Sequence, residues 1–247
     1  MQAFTTRRLL AAWESGIAEP NLTTRALALL AAAYPDASRA ALAQLQIGER
    51  DRRLLAMREQ VFGKRLAGLA VCPGCESRME FVFSVTDIVI PPIHEGNTVE
   101  PQNLCREQYE VAFHVPTSLD LAAVQDLDGF DDRNKLLLEQ VVDSATFGGN
   151  PVAAAELPQR IVAELDERLG EVDPLGDVRL NLVCGACNEE WQTFFDIASF
   201  LWTEIHAWAI RLMREIHCLA RAYGWHEADI LAMSPWRRQR YLEMMNE

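Results

Sequence analysis

A chain of 247 residues that is 49% hydrophobic and 24% charged can bury its own core, and its composition is unlike that of disordered, collagen-like or disulfide-stapled chains. Its net charge of -13 originates in the middle, because residues 76 to 190 hold 23 acidic against 7 basic side chains. An acidic surface repels phosphate, which argues against a nucleic-acid reader and leaves solubility or an acidic docking face as the meaning of the charge.

The N-terminal part, through Val61, reads as helices. Ala26, Leu27, Leu29, Leu30 and Ala33 recur at spacings of three and four before a break at Pro35. Asp36 and Ser38 restart a helix through Leu45, and a third begins near Glu49 and ends at Gly63. The basic run Arg50, Arg52, Arg53 and Arg58 reads as the wet side of that third helix.

Beyond Cys75 the period becomes two. Phe81, Phe83 and Val85 predict a strand, as do Tyr109, Val111, Phe113 and Val115, and then Val178, Leu180 and Leu182. Helices are expected at Ser118 to Val124, Arg133 to Ser144 and Pro158 to Leu169, with loops at Pro91-Pro92 and Gly148-Gly149-Asn150-Pro151. From Asp196, an expected N-cap, a stripe of Ile197, Leu201, Ile205, Trp208, Leu212, Ile216, Leu219 and Tyr223 predicts a long helix that Gly224 ends. A short helix from His226 through Met233 follows, and Ser234-Pro235 caps and starts another.

No stretch approaches the ~18 apolar residues of a membrane span, and no signal peptide is recognisable, so a cytoplasmic protein is expected. In a reducing compartment closely spaced cysteines are metal ligands or redox thiols. Cys72-Pro73-Gly74-Cys75 and Cys184-Gly185-Ala186-Cys187 are two such pairs, each a tight knuckle whose sulfurs can converge on one ion. Together they predict a closed tetrahedral shell for one structural Zn2+, with metal-free vestigial knuckles and redox thiols as the alternatives.

Each knuckle leads into a short strand, at Met79-Glu80-Phe81 and at Glu190-Trp191-Gln192, which predicts a zinc ribbon. The 108 residues between the pairs make the stretch 76–183 an α+β insertion, tolerable because loop-closure entropy grows only logarithmically with length. The expected fold is therefore α+β: a helical N-terminal region over 1–70, a ribbon with its insertion over 71–195, and a helical C-terminal region over 196–247. Glu76 and Asn188 stand where such ribbons have glycine, and Glu tolerates the left-handed conformation poorly. Cys105 and Cys218 read as lone buried thiols outside the metal set.

Other constellations carry less. Glu204-Ile205-His206 recurs as Glu215-Ile216-His217, but the histidines stand about 16 Å apart along a helix, too far to share an ion, and read as polar-face or core-edge residues. His94-Glu95 meets neither the zincin nor the deaminase pattern, and no phosphate loop or nucleophile turn is present. No catalytic residue is expected. The tail Ser234-Pro235-Trp236-Arg237-Arg238-Gln239-Arg240-Tyr241-Leu242 reads either as a protein-binding hot spot or as a solvated arginine face that packs Trp236 and Leu242 inward.

The run Phe195-Asp196-Ile197-Ala198-Ser199-Phe200-Leu201-Trp202, then Leu219 to Trp225 with its Tyr223-Gly224-Trp225 turn, then Asp229 to Arg238, resembles the baseplate proteins and baseplate hub assembly chaperones of T-even-type phages and of phage-tail-like contractile injection systems. The segment Ile47-Gly48-Glu49-Arg50-Asp51 through Phe62-Gly63, leading into the first knuckle, is similar to zinc-ribbon members of injection-system clusters. After Tyr-Gly-Trp the chain has His226 in place of the expected serine-like cap.

The resemblance implies a non-enzymatic role in building the baseplate and its hub, or in escorting the tape-measure protein, with protein partners, no nucleic acid and incorporation into a particle as one destination. Candidate partner-binding residues are Tyr223, Trp225, Trp236, Arg237, Arg238, Arg240 and Tyr241. The competing expectation is a zinc-ribbon adaptor acting on transcription machinery or another complex; an enzyme with a cysteine-rich zinc site is the third.

Overall fold

The computed structural model describes residues 4–88, 101–125, 127 and 129–245. The expected Pro91-Pro92 loop and His94-Glu95 lie outside them. The chain divides into two compact units, one of Met1–Asp36 with Ala198–Glu247 and the other of Ala37–Ile197.

The first unit is helical: α1 (Thr6–Ile17), α2 (Leu22–Ala33), α8 (Ile197–Tyr223, of which Ile197 counts with the other unit), α9 (Glu227–Ala232) and α10 (Pro235–Met244). Thr5, Asn21 and Ser234 cap α1, α2 and α10 by accepting hydrogen bonds from backbone N–H groups of the first turn. His226 occupies the N-cap of α9 without a side-chain cap bond, the consequence of an imidazole where a hydroxyl would serve. Gly224 ends α8 at φ 66°, as its position predicts.

Helices α1 and α2 pack together, and their inner faces bury Leu9, Leu10, Trp13, Leu29, Leu30 and Ala33. Trp13 Nε1 donates to His206 Nδ1 at 3.1 Å, so His206 is a satisfied residue at the core edge. The Arg25 guanidinium lies over the Trp202 ring, and Arg8 donates to the Ala32 carbonyl. The predicted stripe on α8 is buried at Leu201, Ile205, Leu212 and Leu219 and emerges at Tyr223.

The second unit holds α3 (Arg39–Ala43), α4 (Ile47–Phe62) and two antiparallel hairpins, β1 (Arg65–Val71) with β2 (Arg78–Ser84) and β7 (Arg179–Val183) with β8 (Glu190–Phe194). Between the hairpins run β3 (Gln102–Arg106), β4 (Tyr109–Phe113), α5 (Ser118–Val124), α6 (Phe130–Val141), β5 (Val142–Phe147), β6 (Asn150–Pro151) and α7 (Gln159–Val172). The intervening strands form one antiparallel sheet in the order β3-β4-β5-β6. Val111 and Ala145 of this sheet pack with Leu157 and Ile161, and Phe113 packs with Val141 and Leu165. One face of the sheet is thus covered by α6 and α7, and the fold is α+β as expected, with helical ends and a four-cysteine cluster drawn from two hairpins.

Three local expectations are corrected. Arg65–Val71 is a strand, hidden because Leu69 and Val71 point outward and leave no clean alternation. The helix expected to reach Ser144 stops at Val141, where the chain passes directly into β5 without a Gly or Pro to announce the change. Arg50 and Arg58 are not on the wet side of α4: they are 5% and 3% exposed, Arg50 bonded to Asp51 and Arg58 to the Gly63 carbonyl.

Candidate metal centre

The two knuckles share one backbone design. In the first, Cys72 N–H donates to the Ser77 carbonyl at 3.0 Å and Glu76 N–H to the Cys72 carbonyl at 2.9 Å. In the second, Cys184 N–H donates to the Glu189 carbonyl at 2.8 Å and Asn188 N–H to the Cys184 carbonyl at 2.9 Å. Val71 pairs with Arg78 and Val183 with Glu190, so each turn closes its hairpin at the same point. The design needs a left-handed residue after the second cysteine, and Glu76 at φ 58° and Asn188 at φ 59° both adopt it. The first hairpin also needs Gly68, since a β-carbon there would lie 2.5 Å from the Phe81 ring directly across the ladder.

The knuckles meet so that all four sulfurs lie within 4.8 Å of one another. Cys72 Sγ is 3.6 Å from Cys187 Sγ, and Cys75 Sγ is 3.6 Å from Cys184 Sγ. Exchanging the hairpins maps one of these contacts onto the other, so the centre has an approximate two-fold relation. Cys72 and Cys184 are buried, while Cys75 and Cys187 face outward. A tetrahedral ion with Zn–S bonds of about 2.3 Å sets sulfurs about 3.8 Å apart, so this arrangement can hold one metal ion of that kind.

Hydrogen bonds prepare the donors. The Ser77 hydroxyl lies 3.3 Å from Cys75 Sγ, and this contact with the Ser77 backbone N–H holds Cys75 down at about 6. The N–H groups of Ala186, at 3.4 Å, and of Cys187 lower Cys184. Cys187 is pushed up to about 12: the Glu189 N–H favours its thiolate, but Cys75, loss of hydration, Cys72 and Cys184 all favour the thiol. Four sulfurs this close resist full ionisation by themselves, and a divalent cation is what removes that resistance.

Cys105 and Cys218 stand outside this cluster, as expected, but Cys105 is exposed on β3 and Cys218 half-buried on α8, so neither is the fully buried thiol the sequence suggested.

The proposed partner residues gather at one end of the first unit. Tyr223 stacks on Trp225 with ring centroids 4.5 Å apart, and Tyr241 meets both rings edge-on at 5.7 and 4.8 Å. Arg237 covers Tyr241, and Arg240 covers Trp236, which is 73% exposed. Trp236 therefore does not pack inward. Arg238 differs from its neighbours: it is 3% exposed, donates to Glu215 at 2.9 Å and to the Met233 carbonyl at 2.8 Å, and braces α10 against α8.

A polar network at the start of α4 adds buried charge that the sequence announces only through position. Arg50 Nε donates to Asp51 at 2.7 Å, and Gly48 N–H donates to Asp173 at 2.7 Å. Burial pushes Asp51 up to about 6, with Arg50 opposing and Asp196 and Asp173 adding to the rise. The signal was present, because Arg50 and Asp51 stand one turn ahead of buried Leu54 and Leu55, on the core face of the helix.

Among the described residues no helix is long and apolar enough to cross a membrane. Neither a curated protein nor a solved structure matches the chain. The family model of the T4 bacteriophage base plate protein matches residues 6–202, a span that takes in the N-terminal helices, both cysteine knuckles, the sheet between them and the start of α8. The chain belongs to the T4 bacteriophage base plate protein family.

Proposed function

We propose that this chain is a non-enzymatic assembly factor or baseplate component of a phage-tail-like contractile injection system, acting in the manner of a hub or tape-measure chaperone, with Cys72, Cys75, Cys184 and Cys187 holding one structural Zn2+. The observation that carries the reading is the family match over residues 6–202. Two features support it. Four thiolates fill a tetrahedral zinc shell and leave no position for a substrate, which suits a clasp better than a catalyst. The Tyr223, Trp225, Trp236, Arg237, Arg240 and Tyr241 cluster has the residue types that dominate protein–protein hot spots, on a segment that follows the matched span.

The test is purification of the tagged full chain from its native host, from free lysate and from sedimented particles, with identification of co-purifying proteins. Recovery of hub or tape-measure components is expected. Recovery from lysate alone marks a chaperone, and a fixed ratio to particle components marks a permanent subunit. A chain found alone in lysates that contain assembled particles overturns the proposal.

A further inference from the structure

The outer face of α8 carries Arg211, Arg214, His217 and Arg221, all exposed and all on the side opposite the buried stripe. The three guanidinium groups span about 15 Å of helix. None has a hydrogen bond, ion pair or ring contact among the described residues. From Arg211 to the end of α8 the sole acid is Glu215, and Arg238 takes it.

Several arginines on other helices of this chain are neutralised, although Arg7 of α1 and Arg237 of α10 are exposed without an acid. Arg52 and Arg53 pair with Glu49 on α4, Arg168 with Glu171 on α7, and Arg240 with Glu243 on α10. The α8 stripe instead keeps its positive charge available.

Apolar surface adjoins the charge. His217, Cys218, Arg221 and Ala222 of α8 line a shallow groove of about 330 Å³ with Met245, and Met213 lies exposed beside it. Thioethers of this kind adapt to varied apolar anchors. The groove, lined by Cys218, Ala222 and Met245, takes an apolar side chain, which a polypeptide supplies and a phosphate backbone does not.

We infer that the outer face of α8 from Arg211 to Arg221, with the Met245 groove, docks an acidic polypeptide segment that presents carboxylates to the three arginines and an apolar side chain to the groove. Arg221 and Tyr223, the α8 member of the aromatic cluster, lie on different faces of the helix, and the inference stands whether or not the hub or tape-measure reading does.

The test uses the full chain and a fluorescein-labelled peptide of repeating Glu-Glu-Leu-Ala, read by anisotropy at low and moderate salt. Binding is expected to weaken with salt, and the double variants Arg214→Glu/Arg221→Glu and Arg214→Ala/Arg221→Ala to weaken it about tenfold or more. A Lys-Lys-Leu-Ala peptide is expected not to bind. The control Arg160→Glu/Arg168→Glu, on the exposed face of α7, is expected to bind as wild type does. Equal binding by wild type and the α8 variants overturns the inference. Equal displacement of the peptide by single-stranded DNA makes the surface a polyanion site and also overturns it. Self-association of the wild-type chain in sedimentation that the α8 variants abolish assigns the surface to a second copy, which overturns it as well.

Discussion

The backbone N–H of Gly48 donates to Asp173 at 2.7 Å, so the first turn of α4 is held by a carboxylate supplied from just beyond the end of α7. A β-carbon on Gly48 would lie 1.7 Å from the other oxygen of that carboxylate. Only glycine lets this contact form. Gly48→Ala is expected to destabilise the full chain by about 2–4 kcal/mol in urea unfolding, from the clash and the lost bond together. Asp173→Ala, which leaves the N–H unpaired without a clash, is expected to cost about 1–3 kcal/mol. The double variant should cost less than the sum, because removing the carboxylate also removes the obstacle.

The same region fixes a pH dependence. Asp51 sits at about 6 when folded, against an ordinary 3.8. The folded state therefore keeps a proton that the unfolded chain has released in this window. Its contribution is fully present below about pH 4 and is lost as pH rises through 6. Unfolding free energies of wild type and Asp51→Asn are expected to differ by an amount that changes between those values and is constant above them. Taking the difference removes the response of the cysteines, which both chains share.

Metal removal separates the clasp from the lone thiols. With zinc bound as proposed, the chain is expected to carry one zinc by elemental analysis, and Cys72→Ser or Cys184→Ser to lose both the metal and the cooperative unfolding transition. Cys105→Ser is expected to change neither, since Cys105 lies outside the cluster. Chelation should open all four cluster thiols to alkylation together with the loss of the cooperative transition.

The left-handed positions of the knuckles can be relieved. Glu76→Gly, at φ 58°, is expected to raise stability by about 1 kcal/mol with zinc content unchanged. Asn188→Gly, at φ 59°, should gain less, because Asn visits that conformation more readily.

On α10 two neighbours should behave oppositely. Arg238→Ala strands the Glu215 carboxylate and is expected to cost about 2–3 kcal/mol, short of a fully buried pair because Glu215 is 30% exposed. Trp236→Ala is expected to stay within about 0.5 kcal/mol of wild type by the same unfolding assay, since the ring is 73% exposed.

Much of this architecture was legible from local signals. Ser118 to Val124 has its capping residue at Thr117 and its acid at Asp120, and the helix found there runs over Ser118–Val124. The alternation of Tyr109, Val111 and Phe113 becomes a strand with Val111 and Phe113 in the core. The cysteine spacings identified both knuckles because two intervening residues leave little geometric freedom. What stayed hidden depended on distant partners. Arg50 and Asp51 look solvated in sequence but are buried, with Asp173 brought near from beyond α7, and Arg238 is indistinguishable from Arg237 until Glu215 arrives from α8. The strand Arg65–Val71 shows no alternation in sequence because apolar Leu69 and Val71 occupy its exposed face, opposite buried Leu66.

The two hairpins of the cysteine cluster come from opposite sides of the intervening sheet in chain order. A chain that stops short of Cys184 carries only half of a ligand set, and two thiols hold zinc weakly. With zinc bound as proposed, full coordination requires two segments separated by 108 residues to meet. The ion is then a seal between two distant segments: its retention reports that the knuckles at Cys72–Cys75 and Cys184–Cys187 have met, and its loss that they have parted.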